Sequence, residues 1–173
     1  VWSIADHGSD FVVLKLALAD GLGGFPGNRE IDLRYTVHKT TISMTVNATT
    51  DAPTPFNPAN HSYWSLDPTV GFSGQTFQVD ADHYNEPDEN LMPTGQILPV
   101  EGGPYDFRRG AIMAGDNSQF FDFNLCIASQ KRPLTRVATL TGTQGVQMEM
   151  ATTECGVQLY DGGTIHALSL IHI

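Results

Sequence analysis

The chain has 173 residues, 9 basic against 19 acidic, for a formal net charge of −10. Its length fits one domain of roughly 100–200 residues with a sizeable core. The charge repels phosphate backbones and anionic lipid, and no window approaches the ~18 apolar residues of a membrane helix, so neither nucleic acid nor membrane is expected as a partner. Only Cys126 and Cys155 are present. They lack a Cys-x-x-Cys spacing and indicate no zinc site or redox pair, so both are expected as core thiols and no metal is expected. No basic-then-apolar leader precedes the first strand pattern, which gives a cytoplasmic expectation. The chain opens at Val1-Trp2-Ser3 without a methionine and is expected to be an internal piece of a longer protein.

In chain order, Phe11 to Ala19, Glu30 to Ala48, Thr76 to Ala81, Thr135 to Leu140 and Val146 to Ala151 alternate with period two or run continuously apolar, and predict strands. Ile31, Leu33, Tyr35 and Val37 share one parity, and Ile42, Met44, Val46 and Ala48 another. With Lys39-Thr40 at the reversal, this predicts a hairpin. Seventeen glycines and ten prolines interrupt the chain too often for helices of ten residues. An antiparallel all-β domain follows, and the pattern alone leaves sandwich and barrel open. Residues 82–115 read as loop-rich, without a composition break that would mark a domain boundary. Long loops on a β scaffold are where a site would be built.

The segment Asn57-Pro58-Ala59-Asn60-His61-Ser62-Tyr63-Trp64 sets one histidine in a polar turn bounded by aromatic residues. Unperturbed imidazole titrates near pH ~6.5, so a placed histidine can donate a proton at neutral pH. The plainer reading is a strand-end histidine bonded to backbone. Tyr63 and Trp64 can offer apolar faces for stacking, with a core role at least as fitting.

This turn resembles the asparagine-histidine-serine-tyrosine motif of the aldose 1-epimerases, also called galactose mutarotases. Leu91 to Val100 with Gly103-Pro104-Tyr105-Asp106-Phe107-Arg108 is similar to that family's proline-threonine-glycine and aspartate-phenylalanine-arginine blocks. Gly24-Phe25-Pro26-Gly27, Thr54-Pro55-Phe56-Asn57 and Gly156-Val157-Gln158-Leu159-Tyr160 add further matches. The resemblance covers about residues 20–162. It implies a twisted antiparallel β-sandwich of the galactose mutarotase-like type, incomplete at both ends and spanning 1–166, with 167–173 as a non-matching tail. It also implies a monosaccharide substrate, galactose or glucose, and fixes no oligomeric state.

Interconverting sugar anomers removes a proton from the C1 hydroxyl while one is donated to the ring oxygen, so an acid and a base are needed and no cofactor is. The resemblance makes His61 the acid. The family's base is a glutamate from a later segment with no counterpart here, so the chain alone is expected to be inactive. Gln119 to Leu125 resembles the family's glycine-tyrosine-aspartate-histidine-asparagine run, which makes Asp122 a sugar-hydroxyl ligand, against the plain reading of a turn aspartate. Phe123 stands where the family usually has histidine, which leaves that neighbouring imidazole's role in doubt. The family's arginine and histidine-glycine-glycine segment are not found. His7, His38, His166 and His172 match no family site and are expected at the surface or in loops. His83 beside Asp82 cannot share a metal with it if both lie in one strand, because adjacent strand residues face opposite ways. Asp106 and Arg108 are expected to pair and fix their loop. Two other readings stay open: a non-catalytic carbohydrate-binding β-sandwich, and a hexose-6-phosphate epimerase, for which nine basic residues are few.

Overall fold

A computed structural model describes residues 1–67, 72–114 and 121–161. Its twelve strands form three antiparallel four-stranded sheets, and among the described residues helix is confined to one 3-10 turn at Leu22–Gly24. The strands divide between two compact units, Val1–Ser62 and a second beginning at Tyr63.

The first unit holds one sheet in the order β1-β2-β3-β4, made of Ser3–His7, Phe11–Leu18, Arg29–His38 and Thr41–Thr50. The β3–β4 register pairs Ile31 with Ala48, Leu33 with Val46, Tyr35 with Met44 and Val37 with Ile42. The two apolar parities therefore meet on one face, as the hairpin pattern predicts, and β2 extends the rows with Val12, Leu14 and Leu16. Lys15, Asp32 and Asn47 form a polar row on the opposite face, where Lys15 and Asp32 pair at 3.6 Å. The reversal is tight enough to place Lys39 in the left-handed region, at φ 54°. Gly27, in the matched glycine-rich loop, has φ 81°, and a Cβ there would lie 2.6 Å from the Thr50 hydroxyl. No residue with a side chain fits that approach.

The second unit packs two sheets around one core. One sheet runs β11-β10-β5-β8, made of Gln147–Thr152, Thr135–Thr141, Thr76–Val79 and Ala111–Ile112. The other runs β12-β9-β6-β7, made of Gly156–Tyr160, Asp122–Cys126, His83–Pro87 and Pro93–Pro99. Phe77, Val79 and Ala138 enter the core from the first sheet, and Phe123 and Leu125 from the second.

The loop reading of 82–115 needs correction, because this stretch contains β6, β7 and β8. Their prolines sit where a missing N–H is tolerated: β7 is an edge strand, and β6 ends on Pro87 after a register shift. The irregular segment between β7 and β8 is core filling rather than surface loop. Val100 and Phe107 are buried there, and Met113 is buried just after β8. The Phe107 ring bridges the sheets, 5.5 Å from Phe77 and 5.6 Å from Phe121, while Tyr105 stacks 4.1 Å from Phe123.

The expected Asp106–Arg108 pair fastens this segment. Arg108 donates to both Asp106 oxygens, at 2.8 and 2.7 Å, and to Asp82 at 3.0 Å. These bonds hold the Asp106 carboxyl down to about 2 and keep Arg108 more firmly protonated than an ordinary guanidinium.

The core side chains make a direct test. Leu125 is wholly buried, so Leu125→Ala is expected to cost about 2–5 kcal/mol in urea denaturation; an unchanged midpoint would contradict this packing. The clamp predicts a pH signature. Because Asp106 titrates lower when folded, its stabilisation is present above the unfolded carboxyl value of about 4 and is lost as pH falls through about 2. Asp106→Asn is expected to melt below the wild type at pH 7, with the two melting curves converging between pH about 4 and about 2.

Candidate functional site

The turn carrying His61 closes the first unit. Pro58 and Ala59 lie against the apolar face of that sheet, where with Trp2, Leu33, Tyr35 and Val46 they border a cavity of about 90 Å³. The proline's fixed φ and the apolar floor set the direction in which the chain leaves the sheet. The Asn60 side-chain oxygen then accepts the Ser62 backbone N–H at 2.9 Å, bracketing His61 in a local Asx turn. His61 itself is solvent-exposed rather than packed in the interior.

Asp122 belongs to the second unit. It is the first residue of β9, not a turn aspartate, and it is half-buried. Along β9 the pleat turns Phe123 and Leu125 into the core, while Asp122, Asn124 and Cys126 take the other face. The β9–β12 register pairs Asp122 with Tyr160, Asn124 with Gln158 and Cys126 with Gly156, so these six residues share one outward surface. Gln158 donates its amide N–H to Asp122 Oδ1 at 2.8 Å. Tyr63, half exposed, meets Tyr160 edge-on with ring centroids 6.0 Å apart. Trp64 is equally exposed. Both aromatic residues thus lie at the surface and not in the core.

Phe123 stands where the family usually has histidine. Its side chain is 4% exposed and faces the interior, so it is on the opposite face from Asp122. Cys126 departs from the core-thiol expectation. It lies half-buried on the outward face, where burial pushes its thiol up in spite of the Asn124 amide beside it. Cys155 is also half-buried. His7 and His38 are exposed at strand ends, in line with expectation. His166, His172 and the expected 166/167 boundary lie outside the described residues. Asp82 is engaged by Arg108, and His83 opens β6. Among the described residues no group of three or more histidine, cysteine or acidic side chains is arranged to hold a metal ion.

Gln158 and Asn124 share this face with Asp122, and Asn85 accepts a hydrogen bond from Asn124 at 2.6 Å; none of the three was singled out from the sequence. Gln158 lay inside a matched motif, but its hydrogen bond to Asp122 becomes visible only through the β9–β12 register. Chemically, the outward face is rich in oxygen acceptors, with the exposed Tyr63 ring against Tyr160 at its end. That combination suits hydroxyl groups on a ring with apolar faces.

A sequence model of the aldose 1-epimerases matches residues 1–169. Galactose mutarotase of Homo sapiens is 30% identical over 149 residues, 83% of this chain and 44% of that protein. Aldose 1-epimerase of Escherichia coli K12 is 34% identical over 117 residues, 66% of this chain and 34% of that one. The chain therefore spans less than half the length of these curated relatives. Among solved structures, an aldose epimerase homologue from C. elegans superimposes with a TM-score of 0.84 at 26% identity, over 95% of this chain and 52% of that one. The all-β antiparallel fold is thus of the galactose mutarotase-like type.

Proposed function

The chain belongs to the aldose 1-epimerase family, and from that premise we propose that the whole protein interconverts the α and β anomers of a free hexose, galactose or glucose. His61 donates a proton to the ring oxygen while a base removes the proton of the C1 hydroxyl. The C1–O5 bond breaks, the resulting aldehyde turns about C1–C2, and closure on the other face returns both protons. Asp122 accepts a hydrogen bond from a sugar hydroxyl, and Gln158 holds the carboxylate in place. The base is a glutamate with no counterpart in these 173 residues, so the chain carries the acid and not the base.

The observation that carries this reading is the exposure of His61 on its Asx turn. A general acid must reach its substrate, and a histidine sealed in the core could not. The outward Asp122, hydrogen-bonded by Gln158, supports the second role.

Polarimetry of freshly dissolved α-galactose and α-glucose tests the proposal. With the whole protein, His61→Ala is expected to lower kcat by about 10²–10⁴, and Asp122→Ala to weaken kcat/KM by about tenfold or more through loss of a charged acceptor. Full activity in His61→Ala would refute the acid assignment. The 173-residue chain alone is expected to add nothing to the spontaneous rate; robust turnover would mean that a base lies within it.

A further inference from the structure

We propose that Asn85 is a positioning residue that turns Asn124 into a third acceptor for sugar hydroxyls beside Asp122 and Gln158. The inference rests on the reading of the Asp122 surface as a sugar site.

Asn124 sits on the outward face of β9, two residues from Asp122 and directly opposite Gln158. Both hydrogens of its amide nitrogen are committed. One goes to Asn85 Oδ1 at 2.6 Å and the other to the Cys126 sulfur at 3.8 Å. Cys126 in turn donates its S–H to Asn85 Oδ1 at 3.6 Å, so that oxygen accepts from two sides. The raised pKa of the half-buried thiol keeps this S–H in place. The ring of three side chains fixes which end of the Asn124 amide is available.

The end left over is the carbonyl oxygen. It lies over Gly156, where an added Cβ would stand only 2.4 Å away. Gly156 does not have positive φ, so the close approach rather than the backbone angle is what keeps this position without a side chain. Gln158 likewise commits its nitrogen to Asp122 and keeps its carbonyl oxygen. The carboxylate and two amide oxygens thus form a row of acceptors along about 7 Å of strand. Sugar hydroxyls can donate into such a row.

Asn85 occupies an outward position on β6, next to β9. Its oxygen is held by Asn124 and Cys126 and has no role for a ligand, so it acts through Asn124. Replacing it by leucine frees the Asn124 amide to rotate and present donors as well as acceptors. Replacing it by aspartate keeps an oxygen for the Asn124 N–H.

The test uses the whole protein, with D-galactose as probe, in binding titrations and polarimetric kinetics. Asn85→Leu is expected to raise the galactose Kd and KM about fivefold with kcat held, and Asn85→Asp to restore both. Gly156→Ala, which displaces the Asn124 oxygen, is expected to repeat the Asn85→Leu loss. Unchanged galactose affinity in Asn85→Leu, or no rescue by Asn85→Asp, would overturn the positioning role. Wild-type binding without mutarotation would refute the epimerase reading alone; no binding of galactose would refute both.

Discussion

Strand β9 is the constraint on which the second unit depends, since its five residues must serve two surfaces at once. Phe123 and Leu125 are almost wholly buried, and Asp122, Asn124 and Cys126 alternate with them on the other face. A slip of one residue would put a carboxylate into the core and a phenylalanine into solvent. The register is held by five consecutive pairs with β12 and by further pairing with β6. Packing of the inner residues thereby sets the positions of the outer ones.

The material under that strand is unusually aromatic. Tyr84, Tyr105 and Phe123 stack in sequence, and Phe107 connects Phe121 to Phe77 of the facing sheet. Two of these rings come from the irregular segment between β7 and β8, which would be free to move if nothing held it. Arg108, clamped between Asp106 and Asp82, supplies that restraint. The polar face of β9 thus rests on a close-packed layer, which is what a binding surface needs if its acceptors are to keep their geometry. In the first unit a comparable support is visible on a smaller scale, where Pro58 and Ala59 rest on the apolar face of the sheet just ahead of the exposed His61.

Much of this was legible in the sequence where one side of a strand is apolar and the other polar. The β3–β4 hairpin could be read to the residue pair, because Ile31, Leu33, Tyr35 and Val37 alternate cleanly and meet matching partners. Strands β6 and β7 were hidden by prolines and by acidic and amide side chains, which suit an edge and an outward face but imitate a loop. β9 was hidden by its brevity. The motif around His61 and the run containing Asp122 could be recognised by resemblance, yet the link from Asp122 to Gln158 spans 36 positions and exists only through strand pairing. Cys126 was misplaced for the same reason, since nothing local in the sequence says which face of a short strand a thiol takes.

A crystal structure of the whole protein with bound D-galactose tests most directly whether the outer side of β9 is where sugar is held. The account predicts ring hydroxyls within hydrogen-bond distance of the Asp122 carboxylate, on the surface shared with Gln158 and Asn124. Galactose bound on any other surface, with Asp122 contacting only protein, would contradict it.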